Sequence, residues 1–150
     1  MGESNMQQIL NFINGEYTAT AKTFDKRSPL SGQVIAQVHE AGRDEVNAAV
    51  AAARAALKGP WGKMTVTERV ERLYAVADGI NRRFDEFLAA ECADTGKPMS
   101  LARHIDIPRG AANFKVFADV VKSVPTEFFE LATPDGRGAI NYGYRSPVGV

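Results

Sequence analysis

Long apolar runs are missing from this chain: no stretch approaches the roughly 18 consecutive apolar residues of a membrane-spanning helix. Cysteine is nearly missing as well. Cys92 stands alone among 150 residues, which excludes an internal disulfide and suits a reducing compartment, so a cytoplasmic protein is expected. No charge of either sign is in excess, since 18 Lys and Arg balance 18 Asp and Glu, and no basic run exceeds Arg82-Arg83. A neutral surface attracts neither nucleic acid nor an anionic membrane at range, so neither is an expected partner. The polar residues 1–8 lack an apolar h-region and are not expected to act as a secretory signal. Patterns that carry chemistry are scarce. Gly136-Arg137-Gly138 reads as a turn and not as a phosphate loop, no Cys/His spacing suits a metal, and no Ser-His-Asp arrangement is available.

What is present is an ordinary globular composition of about one domain's length. The spacing predicts a hairpin at Phe12-Ile13-Asn14-Gly15-Glu16-Tyr17, because Asn-Gly accepts the positive φ that a two-residue turn demands. A second hairpin is predicted from arms 23–27 and 33–38 around the turn 28–32, with Val34, Ala36 and Val38 on one face. Residues 44–58 place Val46, Ala49, Val50, Ala53, Ala56 and Leu57 at helical spacing, read as a plain core helix stopped by Gly59-Pro60. Thr65-Val66-Thr67-Glu68 is a capping box. The apolar steps behind it suggest two successive helices in a bundle-like layer, with the break set by Gly79 and the Asp85-Glu86 step, the second helix running to about Cys92. A coiled coil is the other option for this seam. Asp94-Thr95-Gly96-Lys97-Pro98 stops that helix with Gly at C′ and Pro just beyond. The next helix is expected to start at Ile107-Pro108 with Asp106 as its N-cap, and to carry Phe114, Phe117, Val121 and Val124 as its apolar stripe up to Pro125. Arms 126–133 and 139–145 then flank Pro134-Asp135-Gly136, a third hairpin with Ile140, Tyr142 and Tyr144 on one face.

The ionisable groups concentrate in 104–113, H-I-D-I-P-R-G-A-A-N. His104 as a general base has only Asp106 nearby, two positions on, where side chains around a helix start need not face each other. Asp106 reads first as a cap and second as a cation ligand, weakly, because hard cations want several oxygens. Arg109 is placed in the first helical turn, against the dipole, which points to a specific anionic partner, either an internal carboxylate or a ligand. Cys92, near a helix C-terminus where the dipole disfavours a thiolate, reads as a structural cysteine and not as a nucleophile.

Five strings occur in order: F-I-N-G-E, S-P-L-S-G-Q-V-I-A-Q-V, A-V-A-A-A-R-A-A followed by Trp61, D-T-G-K-P, and R-S-P-V-G-V. Together they resemble the N-terminal third of the NAD(P)-dependent aldehyde dehydrogenase superfamily, over nearly the whole chain. The run from His104 to Glu130 is similar to that of the 2-hydroxymuconic and 2-aminomuconic semialdehyde dehydrogenases of aromatic-ring degradation. The resemblance implies an α/β fold: β-hairpins, then helices flanking a Rossmann-like domain, then a β-arm for oligomerisation. Residues 1–125 would be the N-terminal part of the cofactor-binding domain, and 126–150 the start of the arm. It implies a homo-oligomer, dimer or tetramer, built through that arm.

The activity implied is NAD-dependent oxidation of a semialdehyde to its acid. A thiolate attacks the aldehyde, hydride passes to NAD, and water releases the acid from the thioester, with an asparagine and an amide on the oxyanion. The catalytic asparagine, the glycine-rich cofactor turn, the general-base glutamate and the nucleophilic cysteine of that family would all lie beyond Val150, so these 150 residues alone are expected to be inactive. Two positions carry over. Arg109 would bind the substrate's carboxylate, and Asp106, with backbone carbonyls around Lys26 and Arg27, would match a monovalent-cation site. Other readings are a dehydrogenase for a different aldehyde, such as betaine aldehyde, and a truncated non-catalytic module that only oligomerises.

Overall fold

Asn14 and Gly15 both adopt positive φ, 53° and 86°, and close a two-residue turn between β2 (Asn11–Ile13) and β3 (Glu16–Thr18), which pair antiparallel with Ile13 opposite Glu16. That is the hairpin expected of Asn-Gly, seen here in a computed structural model that describes residues 6–150. The reading of residues 1–8 as no secretory signal falls, for 1–5, outside the described residues. The second hairpin also forms, β4 (Thr23–Arg27) against β5 (Val34–His39), with the register slipping between Lys26 and Arg27. Sequence patterning missed β1 (Gln7–Ile9), which runs parallel to β5 and completes a three-stranded sheet in the order β1-β5-β4. Three polar-rich residues show no period-two signature; their backbone pairing, and the His39 ring between Thr20 and Gln8, hold them in place.

The helix expected at 44–58 forms as α1 (Arg43–Lys58), with the Gly42 N–H donating to Glu45 Oε2 at 2.7 Å. It is not the core helix that its apolar spacing suggested. None of its residues is fully buried and Val46 is 53% exposed, because its alanines offer little contact area and its main neighbours among the described residues are the short α2 (Pro60–Lys63) and β2. The Thr65 capping box is present: Glu68 N–H donates to Thr65 Oγ1 and Thr65 N–H to Glu68 Oε2 at 2.7 Å. It opens α3 (Val66–Arg82), which runs through Gly79 without interruption and breaks at Arg83, so that the second expected helix, α4 (Phe84–Thr95), starts one residue before the Asp85-Glu86 step. A helical glycine costs about 1 kcal/mol, which packing overrides here. Gly96 ends α4 at φ 70°, and a Cβ there would lie 2.9 Å from Pro29 Cγ, so the β4–β5 turn can approach the end of α4 only over a glycine.

After Gly96 the chain turns helical again earlier than expected. A single turn α5 (Met99–Leu101) passes into a five-residue π turn (Ala102–Asp106) and on into α6 (Ile107–Lys122) without a break. Asp106 is therefore not an N-cap. Its backbone is already helical, at φ −70° and ψ −51°, and its side chain accepts no cap hydrogen bond.

Helices α3 and α6 pack closely and antiparallel, with Tyr74 beside Asp119 and Asp78 beside Lys115, and Val70 and Ala77 of α3 and Ala111 and Ala118 of α6 are buried. A smaller core joins Leu88 of α4 to Ala102 and Ile107, with Ile80, Phe84 and Cys92 around it. The stripe expected to be the buried face of α6 is largely outside: Phe117 is 66% exposed, and Phe114, Val121 and Val124 are also exposed. Small alanines face α3 because they permit close backbone approach, and the aromatics are turned out. The third hairpin forms over shorter arms than expected, β6 (Phe128–Leu131) against β7 (Ala139–Tyr142). Among the described residues no helix is long and apolar enough to cross a membrane.

Candidate functional site

The π turn decides where every ionisable group of 104–113 points. Ile107 N–H donates to the Ala102 carbonyl, five residues back. In an α-helix, residues five apart diverge by about 140°; the wider π turn brings them towards one face. Ala102 and Ile107 can thus both reach Leu88. Had an α-helix continued from Ala102, Arg109, seven residues on, would have come within about 20° of Ala102 and faced the core. With Ile107 anchored instead, Arg109 lies about 200° away from the buried side. It is exposed, and among the described residues its guanidinium has no ion pair and no hydrogen bond. Arg109 does not face a helix N-terminal dipole, since helix precedes it from Met99. What stands is its lack of a partner.

The π turn also accommodates Pro108. A proline inside a helix lacks an N–H and crowds the carbonyl four residues earlier, which is His104. The ladder is already opened there to five-residue spacing, so one helical path runs through a residue that ordinarily marks a start.

Asp106 is half-buried, and its Oδ2 accepts from Lys97 Nζ at 2.6 Å. Lys97 sits just past Gly96 and also lies 3.6 Å from Glu91 Oε1. Its ammonium is held above the usual lysine range, chiefly by the hydrogen bond to Asp106, with the charges of Asp106 and Glu91 adding to this against some desolvation. Lys26 of β4 pairs in turn with Asp94 near the end of α4. The carboxylates Glu91, Asp94 and Asp106 thus each have a lysine beside them. Lys97 was missed as a site residue because D-T-G-K-P reads as a helix stop; nothing in the sequence shows that its side chain folds back towards α6.

His104 gives Nδ1–H to the Ser100 carbonyl at 2.7 Å and has no carboxylate paired with it among the described residues. Cys92 lies half-buried beside the Leu88–Ala102–Ile107 core, where it packs as a small apolar side chain. Neither sits with groups that would make it a base or a nucleophile. Among the described residues no three His, Cys, Asp or Glu side chains gather as a metal site.

Residues 17–150 match the profile of the aldehyde dehydrogenase family. The chain belongs to this family. It is 69% identical over 147 residues to a 2-hydroxymuconic semialdehyde dehydrogenase of Pseudomonas sp. (strain CF600), covering 97% of this chain and 30% of the relative. It is 49% identical over 145 residues to a 2-aminomuconic 6-semialdehyde dehydrogenase of Pseudomonas sp., with the same two coverages. The solved NAD+ complex of an aldehyde dehydrogenase from Bacillus cereus superposes with a TM-score of 0.79 at 34% identity, over 91% of this chain and 28% of that one. The fold is the mixed helix-and-strand N-terminal segment of an aldehyde dehydrogenase, and the chain spans about 30% of the length of the curated relatives it matches.

Proposed function

We propose that this chain is part of an NAD-dependent dehydrogenase that oxidises a muconic-type semialdehyde to the carboxylic acid, with Arg109 as the anchor for the carboxylate at the substrate's other end. The observation that carries this reading is the exposed guanidinium with no acid partner among the described residues, in a chain 69% identical to a 2-hydroxymuconic semialdehyde dehydrogenase. A bidentate guanidinium–carboxylate contact fixes both position and orientation, which a flexible, carboxylate-bearing aldehyde needs before attack at its far end. NAD would supply the hydride acceptor. None of the described residues forms a glycine-rich phosphate cradle, so no step of that transfer is assigned to them.

The division at residue 125 and the location of the reaction in the cytoplasm belong to the same proposal. So does assembly through the β6–β7 hairpin, which is supported by Phe128 and Tyr142 being 70% and 71% exposed. Asp106 fits a monovalent cation poorly, because Lys97 already occupies Oδ2. We assign no step to a cation.

The test is a full-length dehydrogenase in which this segment replaces the matching 147 residues of the Pseudomonas CF600 relative. In it, Arg109→Ala should raise KM for a carboxylate-bearing aldehyde roughly tenfold to a hundredfold, the loss of a charge-assisted pair, and spare simple aldehydes. Equal losses on both classes would make Arg109 structural and overturn the reading.

A further inference from the structure

On a helix, carboxylate and guanidinium three positions apart are neighbours and can pair. Asp106 and Arg109 have that spacing on one helical path, and Asp106 is the sole carboxylate three or four positions from Arg109 in either direction. Yet they do not pair. Asp106 points Oδ2 at Lys97, 2.6 Å away, and Arg109 has no acid among the described residues. The carboxylate and ammonium are each only about 30% exposed, while Arg109 is classed as exposed, so the acid has turned inward to the lysine and away from the arginine. Lys97 is held in place from behind as well: its backbone N–H donates to Thr95 Oγ1 at 3.2 Å and its ammonium approaches Glu91. The αL residue Gly96 sends the chain back towards the π turn.

We propose that Lys97 is a positioning residue for carboxylate recognition: by sequestering Asp106 it keeps the Arg109 guanidinium unpaired and open to a ligand carboxylate. This rests on the reading of Arg109 as a substrate anchor, and it adds to that reading the reason the anchor is not quenched by its own helix. Without the lysine, Asp106 becomes an internal competitor for the same guanidinium, and a ligand must displace it before binding. Removing the competitor along with the lysine frees Arg109 again. A residue that merely held the fold together would not show this reversal.

Two measurements test it. In the 15N-labelled 150-residue chain, with Arg109 Nε–Hε assigned through Arg109→Lys, Lys97→Met should shift that resonance and slow its exchange with water. The double variant Lys97→Met/Asp106→Asn should return it to the parent position. In the full-length chimera, Lys97→Met should raise KM for a carboxylate-bearing aldehyde roughly twofold to threefold and leave KM for a simple aldehyde where it was, and the double variant should restore it. An unmoved Arg109 resonance with unmoved KM overturns the proposal. So does a loss on both aldehydes that the double variant fails to recover, because Lys97 would then be structural. If Arg109→Ala itself spares carboxylate-bearing aldehydes, the substrate assignment fails, while the resonance shift separately reports whether Lys97 sequesters Asp106.

Discussion

Tyr74, Asp119 and Lys122 form a polar clasp along the flank of the α3–α6 contact. The Tyr74 hydroxyl donates to Asp119 Oδ1, and Lys122 Nζ donates to Tyr74 Oη at 2.5 Å and to Asp119 Oδ1 at 2.9 Å. The clasp holds the Asp119 carboxyl below the usual aspartate range, first through the Tyr74 hydroxyl and then through Lys122. A carboxyl whose pKa is lower folded than unfolded contributes stability above its unfolded value, and that contribution is lost as pH falls through the folded one. The thermal midpoint of the parent should therefore exceed that of Asp119→Asn near neutral pH, and the gap should close on acidification past the aspartate range. A gap constant across that range would show that the ionisation of Asp119 contributes none of the difference. At this scale the sequence was only partly legible. Thr65 and Glu68 could be read as a cap because both partners lie within four residues. Lys97 with Asp106 and Tyr74 with Asp119 join residues far apart in the chain, or across a π turn, which spacing does not reveal.

Helix α6 shows what the pattern of apolar residues could and could not decide. Its existence and its end near Pro125 were readable; its buried face was not. Aromatic and β-branched residues on one side promised a core stripe, but Ala77 and Ala118, both fully inaccessible, form the close approach between α3 and α6. Two helices settle at the spacing their smallest facing residues allow, so alanines can hold the contact and larger side chains turn outwards. It follows that Ala118→Leu, which adds volume where none is free, should destabilise the chain by roughly 1–3 kcal/mol. Phe117→Ser, on the exposed side, should change the urea midpoint little. Reversed effects would return the stripe to the core. The hairpins were more legible because their turns have local chemistry: Asn14 and Gly15 sit at positive φ, as their residue types lead one to expect. Strand β1 was not, because its pairing with β5 spans most of thirty residues and leaves no local trace.

Taken whole, the chain exposes 11881 Å², whereas a compact monomer of 150 residues exposes roughly 7,500 Å². Much of the excess is apolar and contiguous in sequence: Phe114, Phe117, Val120, Val121 and Val124 on α6, then Phe128, Phe129 and Leu131 on the hairpin. Exposed apolar surface on this scale is unfavourable for a monomer in water and ordinarily belongs to an interface. The relatives have about three times this length of chain with which to cover such faces. The 150-residue chain should accordingly bind the dye ANS strongly, and ANS fluorescence per mole should fall in the full-length chimera, where the same segment meets the rest of a dehydrogenase. Charged substitutions at Phe117 and Val121 separate surface exposure from loose packing. They should lower the dye signal of the isolated chain while leaving its helical circular dichroism intact, because both side chains are exposed whereas the close α3–α6 approach is made by Ala77 and Ala118. A dye signal that survives both substitutions would place the excess surface in a loosened core instead, and the smaller cluster around Leu88, with its few fully buried residues, would be its source.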